Sequence, residues 1–94
     1  MAEHCAKIRA WSASDHVGLM SYLRSIWAYV AWGWTETQDV DVYSKCAYNV
    51  YDISTAGWSD NEALIEALED NSCFWAMCWE QSRRGGYYIF RVRV

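Results

Sequence analysis

The sequence predicts an α+β domain: a strand, three helices and a closing β-hairpin, with a three-stranded antiparallel sheet packed on the helices. Three observations carry this expectation. Residues alternate with period two near the amino end, and apolar residues recur at three- and four-residue steps through the middle. At the carboxyl end a glycine pair divides a final hairpin.

Residues 4–12 alternate Ala6, Ile8 and Ala10 with Cys5, Lys7, Arg9 and Trp11, the period of a half-buried strand. Ser12 and Ser14 then offer helix caps, and Asp15 suits a first helical turn. Met20, Leu23, Trp27, Val30 and Trp34 follow at helical spacing, with Gly33 as the stop. Residues 40–54 are rich in Val, Tyr and Ile, which favours a strand. However, Val42, Tyr43, Cys46, Ala47, Val50 and Ile53 fall on one helical face, and Thr35 with Gln38 reads as a capping box. A run of about sixteen residues is also long for a strand, so this segment is read as the second helix. Read as a strand instead, it makes the order βαβαββ. Ser59–Asp60–Asn61–Glu62 is a capping box behind Trp58, and it opens a helix that ends at Asn71. Cys73 to Gln81 and Tyr87 to Val94 form the hairpin around Ser82–Arg83–Arg84–Gly85–Gly86. On its second strand Tyr88, Phe90, Val92 and Val94 face one way and Tyr87, Ile89, Arg91 and Arg93 the other.

Ninety-four residues without proline or a Ser/Gly-rich tract make one compact domain, 1–94. Seven Trp and seven Tyr supply a large burial per residue and are of the types enriched at interfaces. Some of them are expected to stay exposed, because their hydroxyl and indole N–H groups need partners or water. The amino end is not built like a secretory signal. His16 to Thr35 holds one charge, Arg24, over the length of a membrane span. Ser21, Arg24 and Ser25 near its centre make insertion costly, so a buried helix is expected and no membrane partner. Cys5, Cys46, Cys73 and Cys78 lack the spacing of a zinc site or a redox pair, so reduced thiols in a cytoplasm are expected, with no metal and no cofactor. No serine, cysteine or histidine stands in a catalytic motif, so no catalytic residue is assigned and the chain is not expected to be an enzyme.

The charge is more informative. From Glu36 to Glu80 ten carboxylates stand against Lys45 alone, a formal charge of −9, whereas the first 35 residues carry +1 and the last 14 carry +4. Such separation orients a protein's field and steers its partners. Glu62, Glu66, Glu69 and Asp70 form a stripe on the capped helix with no basic residue three or four positions away. The pairs Glu62/Glu66 and Glu66/Asp70 repel, at about 0.2–0.5 kcal/mol each, and Glu69 and Asp70 sit at the negative end of the helix dipole. Helix stability therefore does not explain the stripe. It is expected to dock on a partner protein with a basic surface, even one evolved to hold nucleic acid.

Two further surfaces are expected. If the first and last strands are neighbours, Lys7, Arg9, Arg91 and Arg93 share a sheet face with Trp11 and Tyr87, and Arg83 and Arg84 stand at the hairpin tip. Cations mixed with aromatics on a sheet are how single-stranded nucleic acid or a nucleotide is held, which is the alternative function. Tyr22, Ile26 and Tyr29 fall on a second face of the first helix with little polar cover, an apolar interface for a homodimer or for the target.

The order of helix, Gly57–Trp58–Ser59 turn, capped helix and arginine-tipped hairpin over residues 41–94 resembles a winged helix-turn-helix, but the carboxylate stripe argues against DNA in that geometry. In character the compact, acidic, aromatic-rich chain is similar to small phage-encoded inhibitors of host defence, including anti-CRISPR proteins. That similarity implies an inhibitor or adaptor that acts by binding.

Overall fold

The computed structural model describes residues 2–94, which form five helices and one four-stranded antiparallel sheet. Helices α1 (Ala2–Arg9), α2 (His16–Ile26) and α3 (Val30–Gly33) come first, then strands β1 (Trp34–Val40) and β2 (Ala47–Ser54). Helices α4 (Ser59–Asp70) and α5 (Ser72–Cys78) lead into β3 (Trp79–Arg83) and β4 (Tyr87–Arg93). The sheet runs β1-β2-β4-β3. The α+β class holds, but neither the strand–three helices–hairpin order nor βαβαββ does.

Residues 4–12 are not a strand. Cys5 and Ile8, one turn apart, are buried while Ala6 and Ala10 stay exposed, so the apparent alternation was one of alanines with no need of cover. Glu3 in the first turn and Lys7 and Arg9 in the last suit the helix dipole.

The long first helix is also divided. Asp15 caps α2 by accepting from the Gly18 N–H at 3.0 Å. The chain then breaks at Trp27, which is extended, and Tyr29 takes a left-handed φ of 58°. The free backbone at the break is satisfied from elsewhere. Asn61 accepts from the Ala28 N–H and donates to the Ala28 carbonyl, both at 3.0 Å, and the Trp27 indole donates to the Ser54 carbonyl.

Residues 40–54 are not helical. They are the turn and second strand of a hairpin whose first strand starts at Trp34, so the expected Thr35/Gln38 capping box lies inside β1. Strand propensity wins because Tyr51 and Ile53 alternate into the core while Asp52 faces out. Asp41 closes the turn by accepting from Tyr43 and Ser44 N–H groups. No helix precedes α4 in helix-turn-helix fashion, and the winged arrangement is absent.

Helix α4 stands where expected, but its capping box is not made. Ser59 is already helical, Trp58 holds the cap position without a side-chain bond, and Asn61 is fully buried. The segment from Cys73, expected as a strand, begins as α5. Its cap is Asn71, which accepts from the Phe74 N–H and donates to the Ile8 carbonyl, tying α1 to the helix junction. Only from Trp79 does it run extended, and the hairpin turn closes on Gly85 and Gly86, with φ of 87° and 81°.

Helices α1, α2, α4 and α5 pack their buried side chains on one face of the sheet. Tyr51, Ile53, Phe90 and Val92 are buried there with Ile8, Leu19, Met20, Leu23, Leu64, Leu68 and Phe74. The opposite face carries Thr35, Thr37, Asp39, Tyr48, Val50, Asp52, Ile89 and Arg91, none of them buried.

Candidate binding surface

Helix α4 turns Leu64, Ile65, Ala67 and Leu68 into the core, and this amphipathic packing forces Glu62, Glu66 and Glu69 outward along one face. Asp70 leaves the stripe: it takes the Arg9 Nε–H at 3.0 Å. Among the described residues no cation lies within ion-pair distance of Glu62, Glu66 or Glu69. With Thr55, Ile65, Gly86 and Tyr88 the three glutamates line a groove of about 390 Å³ between α4 and the start of β4. Burial pushes the Tyr88 phenol up from its ordinary value, and the charges of Glu69 and Glu62 add to the rise. The Thr55 hydroxyl beneath Gly86 is buried without a partner. Tyr88, Thr55 and Gly86 were not singled out from sequence, because only the pairing of β4 with β2 brings them to α4.

The expected basic face is split between two layers. Lys7 lies over the rings of Tyr22 and Trp11, at 4.5 and 5.8 Å, and Arg9 holds Asp70, so both belong to the helical layer. Trp11 also lies there, its indole donating to the Asp15 carbonyl. The reason is the helical state of residues 4–12. Arg91, Arg93 and Tyr87 do share the open sheet face, with Arg83 opposite Tyr87 and Arg84 in the turn. Arg91 is engaged already, 2.7 Å from Asp39 and stacked 4.3 Å from the Tyr48 ring.

Tyr22, Ile26 and Tyr29 do not form one helical face. Helix α1 partly covers Tyr22, which stacks on Trp11 at 5.3 Å and bonds His4 through its hydroxyl. Ile26 packs against the core, while Tyr29 lies beyond the helix end, exposed and edge-on to Trp58 at 5.6 Å. Trp32, Val42 and Tyr43 are more exposed still. The sequence signal for the last two was the Asp41 turn, which the helical reading obscured.

One nucleophile and one base do meet. Cys78 Sγ lies 3.4 Å from His16 Nδ1, at a groove of about 560 Å³ lined also by Ser14, Tyr48, Arg91 and Arg93. Burial, and then the neighbouring Cys73, push the Cys78 thiol up to about 11, so it stays protonated and unreactive near neutrality. The folded state therefore binds this proton more tightly than the unfolded chain. Its contribution to stability is complete below the ordinary value of 9.0 and is lost as pH rises through about 11. Denaturant melts of wild type should show an alkaline fall that is shallower and begins at higher pH in Cys78→Ala, where only the raised phenols such as Tyr88 remain. Iodoacetamide at mild pH should label exposed Cys73 first and Cys78 late; early labelling of Cys78 would contradict this assignment.

Among the described residues no group of three His, Cys, Asp or Glu could hold a metal ion, and no helix is long and apolar enough to cross a membrane. The fold and surfaces define a compact α+β domain with an unneutralised acidic helix. No family model, curated protein or solved structure matches the chain.

Proposed function

We propose that this chain is a binding protein, not an enzyme, that docks the carboxylate face of α4 on the basic surface of a partner protein and acts as an inhibitor or adaptor. One observation carries the reading. Glu62, Glu66 and Glu69 stand exposed on one helix face with no counter-ion among the described residues, although their mutual repulsion costs the helix stability. A surface that opposes its own fold is accounted for by a ligand of opposite charge, which gains both attraction and relief of that repulsion. Trp58, just before α4, and Tyr29, edge-on to it from the start of α3, are exposed and supply aromatic anchors of the kind that dominate interfaces. The concrete form proposed is a phage-type anti-defence inhibitor, similar in character to anti-CRISPR proteins, acting in a cytoplasm where nucleic-acid-binding enzymes present such basic surfaces.

The test is reversal of charge. Glu62→Lys, Glu66→Lys and Glu69→Lys together should leave circular dichroism unchanged and the melting temperature equal or higher. Binding of the partner captured from host lysate at low salt should fall by at least about a hundredfold. Equal binding by wild type and the triple variant would reduce the stripe to a solubilising face. A gel shift of single-stranded nucleic acid that vanishes with Arg91→Ala and Arg93→Ala would move the function to the open sheet face.

A further inference from the structure

Strand β1 is an open edge of the sheet, and from Thr35 to Val40 every residue is exposed. Natural edges of this length are blunted by proline, lysine, a bulge or a covering element. Here the pairing with β2 is unbroken over all seven residues, and the strand contains neither proline nor lysine. Its two carboxylates are the remaining defence against pairing, and both are neutralised from within the chain. Glu36 accepts from the Trp34 indole at 2.8 Å and has Arg24 within 3.8 Å, and Asp39 has Arg91 at 2.7 Å. Two of the three ion pairs among the described residues thus serve this one strand.

The backbone donors are set for a partner. Asp41 donates its N–H to the Cys46 carbonyl across the hairpin, so by alternation Thr35, Thr37 and Asp39 direct their backbone groups to β2. Trp34, Glu36, Gln38 and Val40 direct theirs to the free edge, where the Val40 N–H finds only the Asp39 side chain.

We infer that β1 pairs antiparallel with β1 of a second copy, about a two-fold axis through Thr37, to make one continuous eight-stranded sheet. In that register Thr37 faces Thr37 of the second copy, Glu36 faces Gln38, Thr35 faces Asp39 and Trp34 faces Val40. It uses all seven residues, joins outward-directed backbone to outward-directed backbone, and sets no carboxylate opposite another. Moving the register by two residues, the smallest shift that keeps the faces matched, either brings Glu36 against Glu36 or sets it opposite Val40. Both shifts shorten the overlap. The symmetric register also runs the hairpin tip of one copy, with Val42 82% and Tyr43 96% exposed, toward the end of the other that carries Trp32, 74% exposed. The most exposed apolar side chains of the chain thereby lie at the two ends of the paired strands, where they cover each other.

Sedimentation equilibrium on the full chain tests the assignment. Wild type should form a dimer of twice 11.0 kDa. Gln38→Pro removes an N–H directed to the free edge and spares the bonds to β2, so it should weaken the dimer by about tenfold or more while leaving the thermal melt nearly unchanged. Thr37→Lys places like charges across the two-fold axis and should weaken self-association by about fivefold. Thr37→Glu should do the same, and mixing the two variants should restore a heterodimer, because only a register centred on residue 37 brings opposite charges together. A wild type that stays monomeric at high concentration overturns the proposal. So does a dimer indifferent to Gln38→Pro, or one that the charge-swapped mixture fails to restore. None of these readouts involves the α4 carboxylates, so the acidic docking surface stands or falls separately.

Discussion

Replacing Phe74 with alanine should remove a large part of the folding free energy. Phe74 is fully buried where α5 meets the sheet, with its ring 5.4 Å from Phe90 and edge-on to His16 at 5.5 Å. Phe90 in turn holds Trp75 at 5.6 Å, so one ring keys α5, α2 and β4 together. Deleting a buried phenyl costs about 3–5 kcal/mol, as lost transfer energy plus a cavity that close-packed neighbours cannot refill. A domain of this size holds only about 5–15 kcal/mol in total. The variant should lose roughly 15–30 °C in melting temperature, or fail to fold at 37 °C. A fall of less than about 1 kcal/mol in urea unfolding would mean that the centre of the core lies elsewhere.

Asn61→Ala should also be strongly damaging, although the side chain removed is polar. Asn61 is fully buried in α4 and serves three backbone groups: the Ala28 N–H and carbonyl at 3.0 Å and the Thr55 carbonyl at 3.4 Å. The Ala28 pair lies in the break after α2, where no regular ladder can satisfy it, whereas the Thr55 carbonyl also accepts from the Trp58 N–H at 2.9 Å. Truncation leaves buried donors and acceptors unpaired at about 1–3 kcal/mol each, offset in part by water entry, so a net loss of about 2–4 kcal/mol is expected. Hydrogen exchange gives the specific signature. The Ala28 amide should lose its protection before the amides of β2 and β4. If that amide remains protected in the variant, Asn61 is not its partner.

The carboxylate stripe was legible because a helix that buries Leu64 and Leu68 must expose Glu62, Glu66 and Glu69 on its other side. The hairpin turn was legible because Gly85 and Gly86 take φ values that other residues resist. Asp70 could not be separated from the stripe, since its partner Arg9 lies 61 residues away in sequence. For the same reason the groove against Tyr88 and Thr55 could not be foreseen, and the basic cluster was drawn as one face when it is two.

By itself, then, the sequence determined the α+β class, the amphipathic α4 with its outward glutamates, and the glycine turn and second strand of the final hairpin, because each is a local pattern of burial period and turn chemistry. Tertiary structure decided the state of residues 4–12, 27–33 and 40–54. Local pattern pointed to one state in the first two and was divided in the third. Two alanines carried the alternation of the first, Asn61 from α4 satisfied the broken backbone of the second, and pairing with β4 settled the third against its helical spacing. Long-range burial and backbone hydrogen bonds are worth more than the few tenths of a kcal/mol by which such local preferences differ.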